Sequence, residues 1–200
     1  MSLSRWVLAA ATAQARQWAS AGWPTHVSVN ISPRLLAGQS LVDDVAAALT
    51  ATGLPAAQLG LELAESGLAT NPRSAAEPFQ QLHGLGVQLA IDHFGAGGSP
   101  LGELTALPIS TLKLDPSLVS DETGSEEDRR ARLRAVVALG EALGIDALAT
   151  GVETPEQLAR ARAAGCAYGQ GHIIAPPMPD DRVIEWLTRQ QLPPWPSRPE

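Results

Sequence analysis

Six short apolar runs recur along this chain, each ending in or close to a polar residue able to hold a metal, a phosphate or a proton. They are Val27 to Asn30, Leu59 to Glu62, Val87 to Asp92, Leu112 to Asp115, Ala147 to Glu153 and Ala167 to Gln170. Buried strands of a parallel sheet read as near-continuous hydrophobic runs, and in a (β/α) barrel their C-terminal ends form the active-site face. The pattern therefore predicts one pocket assembled from many strands, with Asn30, Glu62, Asp92 and Glu153 converging on it. Lys113 sharpens the expectation, because the chain has thirteen arginines and this one lysine. A lone strand lysine suits a site that needs a compact ammonium, although a snorkelling side chain explains it as well.

Helix-length segments fill the gaps, which argues for βα units and an α/β fold with a mostly parallel sheet. Leu3 to Ala21 reads as an amphipathic helix with Trp6, Ala10, Ala13 and Gln17 spaced along it, closed by Gly22 and Pro24. Asp43 and Asp44 open a helix to Thr52 that stops at Gly53. Asn71-Pro72 starts another, ending near Gly84 to Gly86. Ser125 with Glu126 and Glu127 starts the longest candidate, reaching Leu143-Gly144, and Thr154-Pro155-Glu156 caps one that runs to Gly165. A last helix spans Asp181 to Gln190, followed by a proline-rich tail over 191–200.

Composition limits the function classes. At 200 residues the chain can bury one sizeable core but is short for a full (β/α)8 barrel, which typically needs about 250. A net charge of −7 argues against a nucleic acid polymer as partner, since binding one needs a basic face. The single cysteine, Cys166, excludes an intramolecular disulfide. No apolar stretch reaches the ~18 residues of a membrane span, so a cytoplasmic protein is expected.

Asn30, Glu62, Asp92 and Glu153 are hard oxygen ligands suited to Mg²⁺, Mn²⁺ or Ca²⁺. Each alone is ordinary, because polar residues mark where strands leave the core; together they suggest a site. The strongest local signal is Asp92-His93-Phe94-Gly95-Ala96-Gly97-Gly98-Ser99, where an apolar strand delivers an acid and an imidazole into a glycine-rich loop.

These residues resemble a known family. Val27 to Ser32, Leu61 to Ser66, Leu89 to Ser99, Leu112 to Asp115, Gly151 to Thr154 and Gly165 to Gly171 look like successive motifs of the EAL domain, the bacterial cyclic di-GMP phosphodiesterase. The similarity runs in order from about Ser4 to Trp186. It implies a TIM-like barrel in which two divalent cations, Mg or Mn, activate a water that attacks one phosphodiester of cyclic di-GMP. On that resemblance Asn30, Glu62 and Asp92 would be metal ligands, with His93 a further candidate, and Lys113 would hold the water or a phosphate oxygen. Glu153 would support the metal shell, Gln170 would contact a guanine, and Glu65 would anchor the glycine-rich loop. The expected organisation is a barrel domain over 1–190, incomplete because the first strand with its name-giving glutamate is missing, and a tail over 191–200.

The chain departs from the family pattern at informative places. His93 stands where the family has a second aspartate, Thr150 where it has alanine-glutamate-glycine, and Gly98 where a loop tyrosine is usual. Of six carboxylates expected around the metals, Glu62, Asp92 and Glu153 remain. At 4 Å and an effective dielectric near 20 each unit-charge pairing is about 4 kcal/mol, doubled for a divalent ion before desolvation, so the loss should empty at least one metal position. Histidine in the set would favour Zn²⁺ or Fe²⁺.

Four readings follow: a degenerate EAL domain in a binding or regulatory role; a working phosphodiesterase once the first strand is present; a dimerisation scaffold; and a barrel aldolase using Lys113 as a Schiff base. Nearby carboxylates weigh against the last, since negative charge favours the protonated amine. The run His26 to Ile31 is expected to be an edge that pairs with a second copy or is covered by another segment.

Overall fold

A computed structural model describes residues 2–36, 40–70, 72–96, 104–120 and 125–189. Six strands, Val27–Ile31 (β1), Leu59–Ala64 (β2), Gln88–Phe94 (β3), Thr111–Leu114 (β4), Asp146–Ala149 (β5) and Tyr168–Gly169 (β6), follow one another in sequence order across a parallel sheet. Two compact units emerge, Met1–Ile91 with Ser99–Ile109, and Asp92–Gly98 with Ser110–Glu200.

In the first unit the helix Leu3–Ser20 (α1) packs on β1 and on the helix Ser40–Thr52 (α3). Its inward stripe is Leu8, Thr12 and Ala15, with the Thr12 hydroxyl donating to the Leu8 carbonyl at 2.8 Å. The expected stripe through Trp6 is wrong: Trp6 is 55% exposed, because the helix is alanine-rich on every side and Leu8 supplies the one large side chain aimed inward. The α3 helix begins at Ser40, ahead of the acidic pair expected to open it. Pro33–Leu36 (α2) and Glu65–Thr70 (α4) are short helices that the sequence reading did not anticipate; Pro72–Gly84 (α5) matches it. In β2, Leu59, Leu61 and Leu63 are fully buried, and each such side chain contributes roughly 1.5–3 kcal/mol. Gly60 sits between them because the strand needs room on its other face: a Cβ there would come within 2.6 Å of His26 Cε1 and 2.7 Å of Ser28 Oγ.

In the second unit β4 pairs with β5 and β5 with β6, and the helix Glu126–Ala142 (α7) lies on β5. At 17 residues α7 is one shorter than α1, so it is not the longest helix. Ser125 and Thr154 form the expected caps, each in a capping box, for α7 and for Pro155–Ala164 (α8), which ends on Gly165 at φ 91°. A short helix, Pro116–Ser120 (α6), joins α7 and α8 through Arg160, which donates to the Val119 carbonyl at 2.6 Å and to Glu126 at 3.0 Å. Asp180–Arg189 (α9) closes the described chain, and the tail over 191–200 lies outside it. Burial pushes the Cys166 thiol up to about 12, which keeps it unreactive at neutral pH.

One strand run was overextended. β5 stops at Ala149, because the Thr150 hydroxyl turns to the Leu114 carbonyl at 2.6 Å and Gly151 takes φ 66°. Val152 N–H then donates to the Gln170 carbonyl at 3.0 Å. The returning chain is so close that a Cβ on Gly171 would collide with the Val152 backbone.

Two outcomes test this frame. Gly171→Ala should destabilise by about 1–3 kcal/mol, the range for overpacking, whereas Gly84→Ala, whose Cβ would meet nothing within 4 Å, should change stability by less than about 1 kcal/mol; denaturant midpoints compare the two. Hydrogen bonding from Arg160, outweighing slight desolvation, holds the Glu126 carboxyl down at about 2 against an ordinary 4.5. A depressed folded pKa stabilises above the unfolded value and the benefit is lost as pH falls toward the folded one. Glu126→Gln should therefore flatten the loss of stability between pH about 4.5 and 2, read from acid melting curves.

Candidate functional site

Parallel strands carry their side chains in register, so residues paired across a ladder share a face. In the first unit Asn30 is the register partner of Glu62. Asn30 is exposed and Glu62 is 6% exposed. His26 lies close enough to feel the Glu62 carboxylate, which raises its pKa, yet burial dominates and holds the imidazole below its ordinary value. Glu65 follows directly as the first residue of α4 and is buried, a position that would let a loop anchor sit close to the strand end.

In the second unit the charged residues gather at the ends of β3 and β4. Lys113 is buried, 7% exposed, and its Nζ stands 3.7 Å from Asp92 Oδ1. The same Oδ1 accepts the His93 backbone N–H at 3.0 Å, while Asp92 Oδ2 lies 3.7 Å from His93 Nε2. His93 has φ 57°, a conformation in which histidine is tolerated better than most side chains but which is strained for any residue bearing a Cβ. Its ring turns to Asp115, with Nδ1 3.1 Å from Oδ2. Asp115 Oδ1 accepts the Ser117 N–H at 3.0 Å. Burial pushes the Asp115 carboxyl up, but the Ser117 hydrogen bonds and the contact with His93 outweigh it and leave the group below its ordinary value.

Asp115 carried no role in the sequence reading, although the run Leu112-Lys113-Leu114-Asp115 ended on it. The available signal was spacing: two residues past Lys113 puts a second acid at the end of the same strand. Glu153 lies past its strand rather than at its end. It is exposed and lies four residues beyond the end of β5, where its backbone N–H donates to Gln157 Oε1 at 2.7 Å as part of the entry to α8. Gln170 sits just past β6, also exposed, and its main chain holds the loop: its N–H donates to the Ala149 carbonyl at 2.8 Å and its carbonyl accepts from Val152. Gly97 to Ser99 of the glycine-rich loop lie outside the described residues.

Among the described residues no three His, Cys, Asp or Glu side chains come together as a group able to hold a metal. The carboxylates of Asp92 and Asp115 have partners within the chain, Asp92 in Lys113 and His93, Asp115 in Ser117 and His93. The arrangement presents a buried ammonium and an exposed imidazole beside two carboxylates. No helix of the described residues is long and apolar enough to cross a membrane.

Comparison with known proteins now bears on the site. The EAL domain family model matches residues 1–177. The cyclic di-GMP phosphodiesterase RocR of Pseudomonas aeruginosa is 36% identical over 86% of this chain and 44% of its own length. An uncharacterized signaling protein of Caulobacter vibrioides is 39% identical over 94% of this chain and 23% of its own length. The chain thus spans less than half the length of either curated relative. Among solved structures, the EAL domain of Mycobacterium smegmatis DcpA superposes with a TM-score of 0.87 at 35% identity, covering 96% of this chain and 86% of that one. The PaMucR phosphodiesterase in complex with c-di-GMP superposes with a TM-score of 0.83 at 36% identity, covering 90% and 72%. The α/β fold is the TIM-like barrel type of these EAL domains.

Lys113→Met tests the charge arrangement directly. Asp92 is 15% exposed, and removing one partner of a buried pair costs about 3–5 kcal/mol when burial is complete. The 3.7 Å separation places this pair at the low end, about 2–3 kcal/mol, or roughly 4–12 °C of melting temperature. An unchanged melting curve would show that the pair does not stabilise the fold.

Proposed function

This chain belongs to the EAL domain family, and from that membership we propose that it acts in cyclic di-GMP signalling as a binding or regulatory domain whose phosphodiesterase activity is impaired. The observation that carries the reading is the engagement of Asp92, whose two oxygens face Lys113 and His93. The resemblance implies a two-cation centre, and the donor set does not fit one. Of its three remaining acids, Asp92 is compensated by the chain and Glu153 is exposed beyond β5. A two-metal displacement needs both ions clamped about 3.5–4 Å apart. What the residues do support is recognition. The Lys113 ammonium would bind a phosphate oxygen, Gln170 would contact a guanine, and Glu65 would hold the loop after β3. That the solved relatives PaMucR and the Xanthomonas citri FimX EAL domain are complexes with c-di-GMP supports this choice of ligand.

A second reading, a working phosphodiesterase within a longer protein, is favoured by the names of relatives such as RocR and by the small share of their length that this chain spans. We further propose a cytoplasmic location, a barrel domain over 1–190 with a tail over 191–200, and pairing of β1 with a second copy or a covering segment. The last draws on β1 standing first in the strand order of the described residues, a position where a ladder edge left unpaired would invite association.

Calorimetric titration of cyclic di-GMP, combined with a hydrolysis assay in Mg²⁺ and in Mn²⁺, separates the readings. The expected result is binding with a Kd on the order of micromolar, weakened in Lys113→Met, and no linear dinucleotide at rates approaching 1 s⁻¹. Turnover on that order establishes the phosphodiesterase. Absence of both binding and turnover, with a stable dimer in sedimentation, establishes the scaffold.

A further inference from the structure

Asp92 and Asp115 offer four carboxylate oxygens at the ends of adjacent strands in one unit, and polar groups of this chain stand within hydrogen-bond distance of three of them. Oδ1 of Asp92 takes the His93 N–H at 3.0 Å and faces Lys113 Nζ at 3.7 Å. Its Oδ2 faces His93 Nε2 at 3.7 Å. Oδ1 of Asp115 takes the Ser117 N–H at 3.0 Å, and its Oδ2 meets His93 Nδ1 at 3.1 Å. The two ring nitrogens of one imidazole thus span two carboxylates, which is the position a divalent cation takes when it bridges acids. The backbone enforces the placement. A strand residue at ordinary φ would alternate away from the face of Asp92, whereas φ 57° swings the His93 side chain back between the two acids. The strain is modest for histidine, and the hydrogen bond to Asp115 offsets it.

We propose that the His93 side chain is a built-in bridge that takes the place of a metal ion between Asp92 and Asp115, so that this site engages its phosphodiester ligand without a divalent cation. The inference rests on the cyclic di-GMP reading for the identity of the ligand, and on the chain's own geometry for the bridge. It explains how a site can keep both acids side by side: three of the four oxygens have a polar partner within hydrogen-bond distance, and the imidazole stands between the two carboxylates. His93 acts here as a positioning residue.

Two titrations test this on the full chain. In the first, Mn²⁺ and Zn²⁺ are titrated separately by calorimetry into nucleotide-free wild type, His93→Asp and His93→Ala, with melting curves confirming that each variant is folded. The bridge requires that wild type bind neither ion more tightly than about 1 mM, the weak limit for oxygen-ligand sites. It also requires that His93→Asp, which adds a charge and removes the ring, bind Mn²⁺ at least about tenfold more tightly. Wild type binding Zn²⁺ or Mn²⁺ in the micromolar range, with the affinity lost in His93→Ala, overturns the proposal and makes His93 a ligand. In the second, cyclic di-GMP is titrated into wild type in EDTA and in Mn²⁺. Equal affinities within about twofold support metal-independent engagement, and affinity that appears only with Mn²⁺ overturns it. If the nucleotide binds under neither condition, the choice of ligand fails while the first titration still decides the bridge.

Discussion

Parallel pairing is the constraint from which the rest of this structure follows. Two parallel strands cannot be joined by a tight turn, so the chain must cross back over the sheet between β1 and β2 and again between β4 and β5. Helices lie against the strands, α1 on β1 and α7 on β5, and Leu59, Leu61 and Leu63, like Leu112 and Leu114, are sealed from water. The other face, and the ends where strands give way to loops, are the places left for polar side chains. Lys113 is the residue between two buried leucines, and alternation alone sends it to the face opposite them.

A buried ammonium on a strand is tolerable only with a compensating anion, and a half-buried pair of acids only with compensating donors. Those two requirements meet at Asp92. Lys113 supplies the charge, the His93 backbone and ring supply the remaining contacts, and Asp115 is satisfied in turn by the ring and by Ser117. The cluster is closed in the sense that each member's requirement is another member's role. Charge compensation of this kind can be supplied by a cation from solution or by side chains, and the side-chain solution fixes its geometry when the chain folds.

Much of this was legible in the residues, for identifiable reasons. Ser125 with Asp128 and Thr154 with Gln157 are helix starts because a hydroxyl and an acid or amide three residues apart satisfy each other's backbone donors, a rule local enough to read from sequence. The strand run at Leu59 was visible because burial on both faces keeps it apolar as far as Glu62, and the one at Val27 because Val27, Val29 and Ile31 alternate with the exposed Ser28 and Asn30. The end of β5 was not, because it depends on a contact across the sheet, Thr150 to the Leu114 carbonyl, and on a close approach of Gly171 to Val152 that no local pattern records. The Asp115 contact was missed for a similar reason. Its partner His93 lies 22 residues away, and only a positive φ brings the ring to it. The short helices Pro33–Leu36 and Pro116–Ser120 escaped because a single turn has too few residues to show a period.

The two departures from the family pattern at strand ends, Thr150 and His93, have different physical meanings. Thr150 spends its hydroxyl on a main-chain carbonyl at 2.6 Å, which shortens a strand and redirects the chain toward Gly151; that use is structural and would persist whatever ligand the domain meets. His93 is 59% exposed at its side chain, and among the described residues its ring contacts are with the acids Asp92 and Asp115, so it does not fill the core. A residue that accepts a strained backbone, stays open to solvent and still engages two carboxylates contributes little to packing that a smaller side chain could not replace. Its consequence is therefore confined to the chemistry of the cluster, to what Asp92, Asp115 and Lys113 can bind. A substitution at position 93 accordingly separates site from scaffold in a way that one at position 150 cannot.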